Sequence, residues 1–116
     1  HCTSSAASDV YKRQFYNSVK EKLPKTMVFA ISIQPSPSRS DQRPRQQKWN
    51  ESVSNLARME PNLVFVDVSP PMLSADDKPR PELYKDDMLH MNQEGYKIWT
   101  KLVRRDLKKY FPEDFQ

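Results

Sequence analysis

Apolar residues fall along this chain in two kinds of pattern, helical stripes and short unbroken runs, and the order of the two sets the fold. Between Phe15 and Leu23 they occupy positions 15, 16, 19 and 23, a helical spacing, with Pro24 just past the end as a stop. "TMVFAISI", Thr26 to Ile33, is a nearly continuous apolar run rich in β-branched residues, which suits a strand covered on both faces. "QPSPSRSDQRP" follows, and its prolines and serines make it a loop. Helical spacing returns from Arg45 to Met59, where Trp49, Val53, Leu56 and Ala57 form one stripe before Pro61 and Asn62 end it. "LVFVDV", Leu63 to Val68, is a second buried strand. Ser69 to Lys85 is a long Pro-rich connection, of a length that is usually functional or disordered in compact domains. The last helix opens at Asn92, carries Tyr96, Trp99, Leu102, Val103, Leu107 and Tyr110 on one side, and closes at Pro112. Helix, strand, helix, strand is α/β alternation, with parallel strands joined by a right-handed crossover.

The length, 116 residues, suits one small domain. No apolar run approaches the ~20 residues that span a bilayer. The first residues change the count of everything else. "SSAASDVYKRQ", Ser4 to Gln14, back-translates in one frame onto a transposase adapter used in sequencing libraries. Residues 1–14 are therefore expected to be a sequencing artefact with no fold, and residues 15–116 a partial domain entered in mid-course near Phe15. Setting them aside removes Cys2 and leaves no cysteine from which to read a redox compartment. It also removes His1, so that His90 is the sole histidine. Without Asp9, Lys12 and Arg13 the net charge drops from +4 to +3. Lys101, Arg104, Arg105, Lys108 and Lys109 crowd the later turns of the last helix, where positive charge complements the helix dipole. With so modest a net charge and no exposed aromatics interleaved, that run reads as a solvated face and not as a nucleic-acid surface.

The stretch richest in chemistry is "DDMLHMNQEGYKIW", Asp86 to Trp99. An imidazole that acts as a base through one ring nitrogen needs its other N–H held by an acceptor that fixes the tautomer. A carboxylate three residues earlier meets that need if the segment makes a tight turn, and Asp87 and His90 have this spacing. Leu89 would anchor the turn in the core, and Asn92 would cap the next helix through its side-chain oxygen. A bare D-x-x-H arises often by chance, so the pair gains weight from its setting: Asn92, Gly95 and the amphipathic helix after it, a buried strand before it. Loops at the carboxyl ends of parallel strands are where α/β sheets place their sites. Asp86 is the rival for the orienting acid. Asp86, Asp87 and His90 together are a thin ligand set for a metal, and no cofactor is expected. Asp67 reads as a strand-end residue bonded to loop amides. Arg39 is either a rim contact for substrate or an ordinary loop arginine, and Trp49 and Trp99 belong to the core.

The same stretch resembles the last conserved block of the SGNH (GDSL-type) esterases and lipases. "IQPSPSR", Ile33 to Arg39, and "VFVDVSPPMLSADDKPRPELY", Val64 to Tyr84, resemble segments of a bacterial subgroup of that family. The resemblance implies the C-terminal half of a flavodoxin-like three-layer α/β/α fold with a parallel sheet, and hydrolysis of carboxylic esters. It makes His90 the general base and Asp87 its orienting acid. The implied substrate is a small acyl ester, such as an acetylated sugar or lipid, with no nucleic acid and no membrane span. A periplasmic or secreted setting is compatible with the family, but nothing in the chain assigns one.

The departures from the family pattern are equally informative. The nucleophile's Gly-Asp-Ser block and the Gly and Asn blocks of the oxyanion hole are not in this sequence. Its only glycine is Gly95, and Ser36, Ser38 and Ser69 follow no Gly-Asp. The chain is thus expected to hold the base end of a triad without the attacking end, and to be inactive alone. Two strands without the rest of their sheet would leave edges uncovered, so the isolated chain is also expected to be marginally stable. The alternatives from other classes are a non-catalytic α/β interaction domain, in which Asp87, His90 and Asn92 form only a capping turn, and a basic nucleic-acid-binding module.

Overall fold

The computed structural model of the chain describes residues 5–115. His1, Cys2 and Ser4, the outer end of the questioned segment, lie outside the described residues. Helix α1 spans Ser5–Lys22, strand β1 Val28–Ile31, helix α2 Arg43–Met59, strand β2 Leu63–Val66 and helix α3 Gln93–Tyr110. The helix expected from Phe15 therefore begins further upstream, and helical geometry there says nothing of where those residues came from. Within it Tyr16 is buried and Phe15 faces solvent, as does Leu23 just past its end.

β1 and β2 pair in parallel, with Val28 opposite Leu63 and Ile31 opposite Val66. Alternation along the strands divides the core in two. Phe29, Ile31, Val64 and Val66 point to one side, where Val68, Met72, Leu83, Tyr84 and Met91 join them beneath Ile98, Trp99, Leu102 and Val103 of α3. Val28, Ala30 and Leu63 point to the other, against Tyr16 of α1 and Leu56 and Ala57 of α2. The result is a helix layer on each face of a parallel sheet.

Both strands end sooner than their apolar runs. Just beyond the ladder, side chains take over the backbone amides. Asn50 of α2 accepts from Ile33 N–H at 2.7 Å and donates to Ile33 O at 3.2 Å. Ser32 Oγ accepts from Val68 N–H at 2.9 Å. β1 is also half-buried and not fully covered. The Pro-rich connection is ordered by local turns. Single 3-10 turns at Pro70–Met72 and Pro81–Leu83 start on proline, whose fixed φ suits a first helical position. Leu73 bridges Pro79, and Met72 is among the most deeply buried side chains.

The stripe on α3 needs one correction. Tyr96 is 54% exposed, whereas Tyr110 keeps an edge-to-face contact with Phe29, ring centroids 5.9 Å apart. At the level of Tyr96 the inward position belongs to Gly95, and one residue of helix turns the tyrosine about 100° away from it. Ile98, absent from the expected stripe, packs on the core instead. Tyr96, expected on the stripe, thus lies outside the packed side of α3, while Tyr110 stays on it.

Candidate active site

The segment from Tyr84 to Asn92 is a turn pinned at both ends and at its crown. At the base, Tyr84 and Met91 form an antiparallel bridge, and Lys85 N–H donates to His90 O at 2.8 Å. Inside, Met88 N–H donates to Lys85 O at 2.8 Å, and Met88 takes a φ of 55°. The turn leads directly into α3. Asn92 Oδ1 accepts from Gly95 N–H at 3.1 Å, the expected cap, and Asn92 Nδ2 donates to Glu82 O at 2.8 Å. The sole glycine has a steric reason to be here. A Cβ on Gly95 would stand 2.6 Å from Leu83 O and 2.9 Å from Met91 Cβ. Only a bare Cα lets the first turn of α3 pack this close to the site segment.

Asp87 organises the turn. Its Oδ1 accepts from the amides of Leu89 and His90 at 2.9 and 3.0 Å, which fixes the plane of the carboxylate. Its Oδ2 then faces His90 Nδ1 at 2.6 Å. The His90 ring N–H, followed by the two amides, holds the Asp87 carboxyl well below the usual carboxylate range. An ionised carboxylate only accepts, so Nδ1 carries the proton facing it, and in the neutral tautomer of the ring Nε2 is then the bare nitrogen. The His90 side chain is 68% exposed, and Nε2 makes no hydrogen bond among the described residues. Chemically, a neutral imidazole held in this way could accept a proton at Nε2 from a group approaching through solvent.

The other residues singled out by sequence fall as follows. Among the described residues Asp86 makes no hydrogen bond to the ring; the carboxylate that reaches it is that of Asp87. Leu89 is only half-buried and joins neither core cluster, so the turn is anchored by hydrogen bonds and not by that leucine. Asp67 accepts from Ser69 N–H at 3.0 Å, a strand-end role. Ser36 and Ser69 are buried, with the Ser69 hydroxyl on Ile33 O at 3.4 Å. Among the described residues no serine hydroxyl is bonded to His90. Arg39 is exposed in the loop that meets the site turn through Ser38 N–H, which donates to Met88 O at 3.0 Å. That contact, and the Tyr84 hydroxyl donating to Pro35 O, were not foreseen from sequence.

The family model for GDSL-like lipases and acylhydrolases matches residues 2–98. The chain belongs to the GDSL-like lipase/acylhydrolase family. The match includes Asp87, His90 and Asn92. No curated protein sequence matches the chain. Among solved structures, a candidate platelet activating factor from Streptococcus pneumonia superposes with a TM-score of 0.75 at 24% identity. The superposition covers 93% of this chain and 52% of that one. The esterase domain of the ZfL2-1 ORF1 protein from the zebrafish ZfL2-1 retrotransposon gives 0.78 at 20% identity, covering 93% of this chain and 61% of its own. At these identities the likeness is one of fold, and it supports the parallel α/β reading of this family member. The chain spans about half to three-fifths of the length of these two neighbours.

Proposed function

We propose that this chain carries the base and orienting acid of a serine carboxylester hydrolase, and that it does not hydrolyse esters alone. The observation that supports this most directly is the 2.6 Å contact between His90 Nδ1 and Asp87 Oδ2, with Nε2 left in solvent. In the intact enzyme a serine from a Gly-Asp-Ser block would lose its proton to His90 Nε2 as its oxygen attacks the ester carbonyl carbon. The imidazolium, stabilised by Asp87, would return that proton to the departing alcohol. Water activated by the same nitrogen would then clear the acyl-enzyme. Small acyl esters, acetylated sugars or lipids among them, are the substrates this reading favours. On the same reading, residues 1–14 are not part of the enzyme, and genomic DNA spanning the locus would lack them.

The test compares two proteins on a chromogenic acetyl ester. The 116-residue chain is expected to show no turnover above background. A longer chain that supplies the Gly-Asp-Ser block is expected to turn over, and to lose roughly ten-thousand-fold in kcat on Asp87→Asn, as tautomer control is lost. Turnover by the short chain would overturn its inactivity, and a long chain indifferent to Asp87→Asn and His90→Ala would leave the capping-turn reading of these residues in its place.

A further inference from the structure

Met88 is an awkward residue for the place it occupies. Its left-handed backbone, φ 55°, is one that residues other than Gly, Asn and Asp rarely adopt. It lies between acid and base in sequence, so its backbone angles set how Asp87 curls beneath the ring of His90. Something outside the turn must hold it there. The amide of Ser38 does so directly, donating to Met88 O at 3.0 Å.

Ser38 belongs to the Pro-Ser-Pro-Ser loop after β1, and that loop has its own anchor. The carbonyl of fully buried Pro35 accepts the hydroxyl of Tyr84, itself a buried residue. Pro35 and Pro37 have fixed φ, so the short path from Pro35 to Ser38 is stiff. Tyr84 also forms the base of the site turn through its bridge to Met91. It therefore grips the turn twice, at the base through its backbone and at the crown through the loop. Burial pushes its hydroxyl up to about 12, so it remains a donor across the pH range in which enzymes work.

We propose that Tyr84 is a positioning residue: its hydroxyl, acting through Pro35 and the Ser38 amide, braces Met88 in the left-handed conformation and so aligns Asp87 with His90. The inference rests on the reading of that pair as base and orienting acid.

Imidazole nitrogen NMR on the 116-residue chain tests it without need of turnover, with His1→Ala as background so that His90 is read alone. The parent ring is expected to show Nδ1 protonated and Nε2 bare. Tyr84→Phe keeps the ring volume and removes the donor. Ser38→Pro removes the amide at the crown from an exposed position, touching no core residue. Both are expected to move His90 toward the averaged pattern of free histidine. Both should also speed exchange of the Leu89 and His90 amides about tenfold, the scale of one lost hydrogen bond. Adding Met88→Asn to Tyr84→Phe should restore the parent pattern, because Asn tolerates the left-handed region unaided. A role in packing alone gives no such restoration. If the ring pattern survives both single variants, or the double variant fails to recover it, the brace is wrong. Should Tyr84→Phe prevent folding, Ser38→Pro decides alone. A parent ring without the Nδ1–H signature overturns the acid–base reading itself, a failure distinct from that of the brace.

Discussion

The two faces of the sheet are filled to different depths. Under α3, Val66, Val68 and Met72 are fully excluded from solvent, and Leu83, Tyr84 and Met91 complete a continuous core that ends at the site turn. Under α1 and α2 the buried residues are Tyr16, Val53, Leu56 and Leu63, flanked by half-buried neighbours, and none is fully excluded from solvent. Tyr11, Phe15, Leu23 and Met59 stand in solvent nearby on those helices and their ends. The difference teaches where rigidity is concentrated. Close packing resists displacement of even a methylene, whereas a sparse contact yields. The turn that carries Asp87 and His90 leads off the closely packed side, between Tyr84 and Met91.

The sharpest way to break this comparison is to delete volume on each side in turn. Met72→Ala removes a fully buried side chain from the α3 face and is expected to cost about 2–5 kcal/mol. Phe15→Ala removes a larger side chain that is 66% exposed on α1, and should change stability by no more than about 0.5 kcal/mol. Urea titration of the two variants measures both. Equal losses would mean that α1 packs far more tightly than its exposure implies.

A smaller effect is expected where the dense face meets the site. Gly95→Ala places a methyl against Leu83 O, a backbone atom that cannot rotate away and that also accepts from Asn92 N–H at 3.0 Å. The first turn of α3 must lift, at a cost of about 1–3 kcal/mol. Because Asn92 and Met91 move with it, the His90 and Leu89 amide signals should shift as well. A stability loss with those signals unmoved would show that the helix end and the site turn are mechanically separate.

How much of this was legible in the sequence depends on how far apart the interacting residues lie. The parallel pair of strands and the helices around it follow from runs and stripes, which are local. The Asp87–His90 contact and the Asn92 cap span three residues each and were legible for the same reason. Strand ends were not, because Asn50 and Ser32 replace ladder partners across 17 and 36 residues. Asn50 did leave a trace, a polar residue set among Trp49 and Val53 on the helix stripe. The order within the Pro-rich connection rests on bonds such as Arg80 N–H to Met72 O at 3.0 Å, which no composition rule encodes. Tyr96 was misplaced because periodicity marks a stripe without marking its edge, and the neighbouring glycine carries no hydrophobic signal. The Tyr84–Pro35 and Ser38–Met88 bonds join segments about fifty residues apart and leave no pattern at all.

The last and smallest expected effect concerns the pair itself, which stands in solvent on the dense side and is screened there. Asp87 has a folded pKa held below the ordinary carboxylate value of about 3.9. The folded state therefore favours its ionised form. The stabilisation it contributes is fully present above the ordinary value and is lost as pH falls through the lowered one. Asp87→Asn should accordingly be less stable than the parent chain near neutral pH, by an amount that shrinks as the solution is acidified from the ordinary carboxylate range downward. Melting temperatures of the two proteins across that range measure it. Since both carry the same remaining carboxylates, their difference isolates Asp87. A gap that is constant through acid, or that widens there, would mean that the carboxylate's charge does not hold the turn. Shape alone would then align the ring, and the dense face beneath it would be the only thing positioning His90.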